Sequence, residues 1–113
     1  MVLYVVRDLL FVSKIREAAE RLGVAVEPLR DVATLPTAAR GATLVIVDLA
    51  LPQGVEALER LASDPETASI RTVGFVGHER RDVMETARAL GCAQVMAKGE
   101  FATKLPGLLG DAR

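Results

Sequence analysis

The sequence predicts an α/β fold: a five-stranded parallel sheet, strand order 2-1-3-4-5, with helices on both faces. Two observations carry this. Short apolar runs alternate with amphipathic stretches along the whole chain, as in a parallel sheet built from β-α units. The run Leu44-Val45-Ile46-Val47 is continuously apolar, so it belongs to a strand covered on both faces.

The elements follow in order. Val2–Val6 is the first strand. Ser13–Leu22 carries Ile15, Ala18, Ala19 and Leu22 on one helical face, and Gly23 stops it as a C-cap glycine does. Val24–Val26 begins a short second strand. A short helix around Thr34–Arg40 follows, capped by Thr34 with Pro36 in its first turn. Leu44–Val47 is the third strand. Val55–Ala62 is a helix with Val55, Leu58, Leu61 and Ala62 inward, ended by Asp64-Pro65. Thr72–Val76 is the fourth strand. Arg81–Leu90 is a helix with Val83, Ala87 and Leu90 inward, stopped by Gly91. Gln94–Ala97 is the fifth strand, and Phe101–Leu109 a short closing helix. Right-handed crossovers leave few topologies for five such units, and the flavodoxin-like order is the expected one.

Length and composition bound the function. At 113 residues, residues 1–113 form a single domain with room for one core. Fourteen basic side chains balance 15 acidic ones and aromatics are few, so neither a basic stripe nor a stacking platform for nucleic acid is present. Cys92 is the lone cysteine, which excludes an internal disulfide and a cysteine metal cluster. It is expected to pack as a small hydrophobe, and Met84 and Met96 as core filler. Met1–Val6 reads as a strand rather than a signal peptide, and no apolar run approaches membrane-spanning length. The expected setting is cytoplasmic, away from membranes.

The chemistry gathers at one edge. In open α/β sheets, ligand chemistry lies outside the carboxyl ends of the strands, at the switch between strands one and three. Asp8 follows strand one, Asp48 ends strand three and Lys98 ends strand five. Three charged groups far apart in sequence are therefore expected to converge.

Val45-Ile46-Val47-Asp48-Leu49-Ala50-Leu51-Pro52 resembles the phospho-acceptor strand of bacterial response-regulator receiver (CheY-like) domains, and Gly91 through Lys98 resembles their last helix-to-strand passage. The resemblance covers essentially the whole chain. It implies an aspartate that takes a phosphoryl group from a histidine kinase, assisted by magnesium held by that aspartate and an acidic pair after strand one. It also implies a threonine or serine after strand four and a lysine that hold the phosphoryl group, and an aromatic switch on strand five. Carried over, Asp48 takes the acceptor's place, Lys98 the lysine's and Asp8 one member of the acidic pair, so the implied metal ligands are Asp8 and Asp48.

The departures are as specific as the matches. Arg7 stands where the second acid belongs, Val76 where the hydroxyl belongs with Gly77 next, and Val95 at the switch. Gly99 replaces the proline that usually follows the lysine, and the loop after Pro52 is short. A lost hydroxyl donor to a charged acceptor is worth about 1.5–3 kcal/mol. Arg7 is expected to place its guanidinium in the metal position, bonded to Asp8 or Asp48, unless it extends to solvent. Asp48 could instead be a strand-end carboxylate in a fixed ion pair with Lys98, and Asp8 a helix cap. His78 is expected to be solvated. Leu9-Leu10-Phe11-Val12 either packs inward or exposes an apolar patch.

The function expected is that of a stand-alone, atypical receiver-like (pseudo-receiver) signal-transduction module without enzymatic activity. It acts through protein–protein contacts with a histidine kinase or a downstream signalling protein, with phosphorylation at Asp48 weakened or lost. One alternative is a conventional, magnesium-dependent phospho-accepting response regulator of a two-component phosphorelay. The other is a small flavodoxin-type ligand-binding or enzymatic domain. Against the last, Arg7–Ser13 contains no glycine for a phosphate cradle, and no Ser–His–Asp or Cys–His order suggests nucleophilic catalysis.

Overall fold

A computed structural model describes all 113 residues. The strands are β1 (Val2–Val5), β2 (Val26–Pro28), β3 (Leu44–Asp48), β4 (Thr72–Val76) and β5 (Gln94–Ala97). They form one parallel sheet in the order β2-β1-β3-β4-β5, the order expected from the sequence. The helices are α1 (Leu9–Leu22), α2 (Pro52–Ser63), α3 (Arg81–Ala89) and α4 (Lys98–Asp111).

Strand periodicity sorts the core into two layers. Val2, Tyr4, Leu44, Ile46, Val73, Phe75 and Met96 pack against Phe11, Ile15, Ala18 and Ala19 of α1 and Phe101, Leu105, Leu108 and Leu109 of α4. Leu3, Val5, Val45, Val47 and Val76 face the other way, against Ala57, Leu58 and Leu61 of α2 and Ala87 of α3. Every residue of β3 is buried, which is why its sequence is continuously apolar up to Asp48. Cys92 and Met96 lie in the core, and Met84 packs half-buried against it.

Several elements differ from expectation: β2 begins at Val26 rather than Val24, α2 at Pro52 rather than Val55, and α4 at Lys98 rather than Phe101, and two segments differ more deeply. Instead of a helix around Thr34–Arg40 there are two short 3-10 turns, Val32–Thr34 and Thr37–Ala39. Asp31 caps the first by accepting from the Ala33 N–H, and Thr34 lies at its end, its hydroxyl donating to the Asp31 carbonyl. Leu35 is extended between the turns because Pro36 disfavours the helical region for the residue before it. Val32, Leu35 and Ala39 still bury themselves on the α2 face.

Helix α1 starts four residues early, at Leu9, because the Asp8 side chain accepts from the Leu10 N–H and caps it there. The run Leu9–Val12 is thus the first helical turn. Phe11 shares the inward face with Ile15, Ala18 and Ala19, and Val12 packs half-buried against that layer; Leu9 and Leu10 are 81% and 61% exposed. Gly23, at φ 68°, closes the helix in the left-handed region that a glycine adopts freely.

The placement of α2 depends on one glycine. A Cβ on Gly54 would overlap the carbonyl oxygen of Asp48 and lie 3.0 Å from a methyl of Val47. The obstacle is backbone, so it cannot swing aside. Gly54→Ala is expected to push α2 off β3 and to cost about 1–3 kcal/mol, read from the midpoint of urea unfolding.

Candidate functional site

The carboxyl edge of the sheet gathers Asp8, Asp48 and Lys98 from three chain segments. Asp48 is the last residue of β3, 5% exposed. One of its oxygens accepts from the Ala50 N–H at 3.0 Å, leaving the second oxygen without a hydrogen bond in the protein. Burial raises the Asp48 carboxyl above its ordinary value. The Ala50 N–H and then the Lys98 ammonium oppose that rise, while Asp8 adds to it.

Asp8 spends one oxygen on the Leu10 N–H at 2.9 Å. Capping and proximity to Asp48 are compatible, because the second oxygen stays available. Lys98 is the first residue of α4 rather than the last of β5, and it is half-buried. A cation there opposes the positive end of the helix dipole, which helix stability alone would disfavour. Lys98 makes no ion pair with Asp48; its Nζ lies 5.9 Å from the centroid of the Phe11 ring instead. The fixed ion pair between strand-end carboxylate and lysine is therefore not what the geometry contains.

Arg7 does not enter the metal position. Its guanidinium donates to the carbonyl of Arg30 at 3.2 Å, beyond the end of β2. That carbonyl lies where the chain leaves the sheet, and the exposed Arg7 side chain can follow the sheet edge to reach it. The donor set at the edge is thus two carboxylates, Asp8 and Asp48, with no third acidic, histidine or cysteine ligand to complete a cluster. Magnesium is ordinarily held by one or two carboxylates plus water and phosphate oxygens, so this pair fits a weakly held ion but not a protein-built cage.

The remaining positions are apolar. Val76 is buried on the α2–α3 side, and Val95 is half-buried against the same cluster. Neither carries a hydroxyl or a ring. At Gly77 the Glu79 side chain folds back, so that a Cβ there would meet its carboxylate. His78 is exposed, with Nδ1 3.8 Å from Glu79 Oε2.

The sequence reading missed Glu79 and the aromatic floor. Phe11, Phe75 and Phe101 come from α1, β4 and α4, and Phe75 sits opposite Asp48 in the β3–β4 register. The positions of Phe11 and Phe101 on inward helical faces signal burial, but nothing in the spacing signals that they meet.

The fold is similar to solved structures of receiver domains. The response-regulator receiver domain from Rhodospirillum rubrum matches with a TM-score of 0.77 at 20% identity, over 97% of this chain and 91% of that one. The receiver domain of NtrX from Brucella abortus gives 0.79 at 18% identity, covering 99% and 97%. The receiver domain of a sensor histidine kinase from Pseudomonas aeruginosa, with magnesium coordinated in its active-site cleft, gives 0.77 at 16% identity, covering 98% and 94%. At these identities the likeness establishes the fold. No family model and no curated protein matches the sequence. No helix is long and apolar enough to cross a membrane.

The buried carboxylate yields a pH prediction. With its pKa raised by folding, Asp48 keeps its proton in the native state over a range where the unfolded chain has lost it. Native stability therefore falls as pH rises through that window. Asp48→Asn keeps an oxygen for the Ala50 N–H and removes the titration. It should unfold at higher urea than the parent at neutral pH, with the two converging below the ordinary carboxylate range. A variant less stable than the parent at neutral pH would contradict the assignment.

Proposed function

We propose that this chain is a receiver-like signalling module that works through protein–protein contacts. In this reading Asp48 is a weakened phosphoryl acceptor and the usual coupling to strand five is absent. The carrying observation is that Asp8, Asp48 and Lys98 share one sheet edge with Asp48 outside any ion pair, while Val76 and Val95 are apolar.

The residues divide the work as follows. The free oxygen of Asp48 attacks the phosphorus of a phosphohistidine on a partner kinase. The P–N bond breaks as the O–P bond of the acyl phosphate forms, and the leaving nitrogen takes a proton. The Ala50 N–H holds the other carboxylate oxygen and so fixes the direction of the lone pair. Lys98 supplies positive charge to the arriving phosphoryl oxygens. Asp8 and Asp48 are the residues that would hold magnesium, whose role when bound is to neutralise charge on the transferring group. Val76 offers no donor, so the phosphoryl group is held by one contact fewer and no hydroxyl moves toward it. Exposed Leu9 and Leu10, directly after Asp8, give a partner apolar surface beside the site.

Titration of beryllofluoride with magnesium, followed by amide NMR, tests this. The expected result is saturable but weak binding that requires magnesium, with shifts at Asp8, Asp48, Ala50 and Lys98 and little change across Val95 and α3. Binding should vanish in Asp48→Asn. Strong shifts reaching Val95 and α3 would mean a conventional switch. No shifts at any magnesium concentration would mean that the acceptor chemistry is lost.

A further inference from the structure

Lys98 lacks the contacts that normally fix a half-buried ammonium. No hydrogen bond holds it, and the ion pairs of the molecule are made by Arg40, Arg60, His78, Arg80 and Lys104. The group it meets is the face of Phe11, with Nζ 5.9 Å from the ring centroid. That is within the range of about 6 Å over which the negative face of an aromatic ring attracts a cation.

The ring is itself immobilised. Phe11 packs on Phe75 at 4.9 Å and on Phe101 at 5.9 Å between centroids, and Phe75 stacks on Phe101 at 4.3 Å. Phe75 in turn belongs to the backbone that carries the acceptor, since its carbonyl accepts the Leu49 N–H, the residue after Asp48, at 2.9 Å. The three rings tie the floor under Lys98 to the end of β3. The other side of the balance is Asp48 itself. A lysine collapsed onto Asp48 would form a desolvated ion pair and cover the oxygen that has to react. A lysine released to solvent would offer its charge only on average.

We propose that Phe11 is a positioning residue for Lys98, its ring holding the ammonium at the Asp48 edge, close enough to act on an incoming anion yet apart from the carboxylate. This rests on the acceptor reading above. It adds to that reading a residue on α1 that acts only through the lysine.

The test uses the full chain with two substitutions. Phe11→Leu keeps an apolar side chain of similar bulk without a ring. Pentafluorophenylalanine placed at position 11 alone keeps the ring's shape and reverses the charge of its face. In the parent protein the ε-methylene protons of Lys98 should resonate upfield, from the ring current of Phe11, and Phe11→Leu should abolish that displacement. Beryllofluoride affinity in magnesium should fall about two- to five-fold in both variants, the ratio that a half-exposed cation–π contact supplies. An unshifted Lys98 in the parent, or unchanged affinity in both variants, would overturn the proposal. So would a fall in Phe11→Leu alone, which would assign the effect to packing. If the parent binds no beryllofluoride the acceptor reading fails instead, and the Lys98 ring-current shift by itself decides whether the contact exists.

Discussion

Placing a carboxylate at the end of a strand buried on both faces is the constraint around which this structure is arranged. Water cannot solvate Asp48 freely, so the charged form must find its partners in the protein or be disfavoured. The Ala50 N–H supplies one hydrogen bond, and the positive charge of Lys98 acts from a distance. These offset burial only in part, and the carboxyl stays raised. The backbone around it is fixed tightly. Gly54 lets α2 lie against the Asp48 carbonyl, and β4 holds β3 through a register that puts Phe75 beside Asp48. A group left incompletely stabilised on a rigid scaffold is where reactivity, rather than stability, is expected.

The two faces of the sheet contribute differently to that edge. On the α2–α3 face, Val76 and Val95 pack into an apolar layer. On the α1–α4 face, Phe11 lies under Lys98, tilted against the stacked pair Phe75 and Phe101. In the proposed reading, a change of charge at Asp48 is felt first by α1 and the start of α4, through Lys98 and Phe11. Leu9 and Leu10 lie exposed on that same first turn of α1, so the surface nearest the disturbance is also the apolar one.

The fold was largely legible because its signals are periodic. Continuous apolar character marked β3, helical spacing marked α1 through Ile15, Ala18 and Ala19, and β4 and β5 had the expected limits. The segment after β2 departs from expectation because Pro36, read as a first-turn proline, instead holds Leu35 extended and divides the segment into two short turns. The start of α1 was misread because Asp8 was weighed for its charge more than for its capping oxygen. At the site, the convergence of Asp8, Asp48 and Lys98 followed from topology, because strand ends lie on one edge whatever their side chains. The direction taken by a long side chain does not follow from topology. Arg7 adjoins Asp8 in sequence and donates to the Arg30 carbonyl; Lys98 has Asp48 nearby and lies over Phe11. A flexible cation settles according to local geometry, which spacing in the sequence does not encode.

The most direct test of the account is covalent. The purified protein is incubated with a small phosphodonor and magnesium, and its intact mass and peptides are then examined. The account predicts a single base-labile phosphoryl adduct on the peptide containing Asp48, accumulating slowly and absent from Asp48→Asn. An unmodified chain after prolonged exposure, or an adduct on another residue, would contradict it.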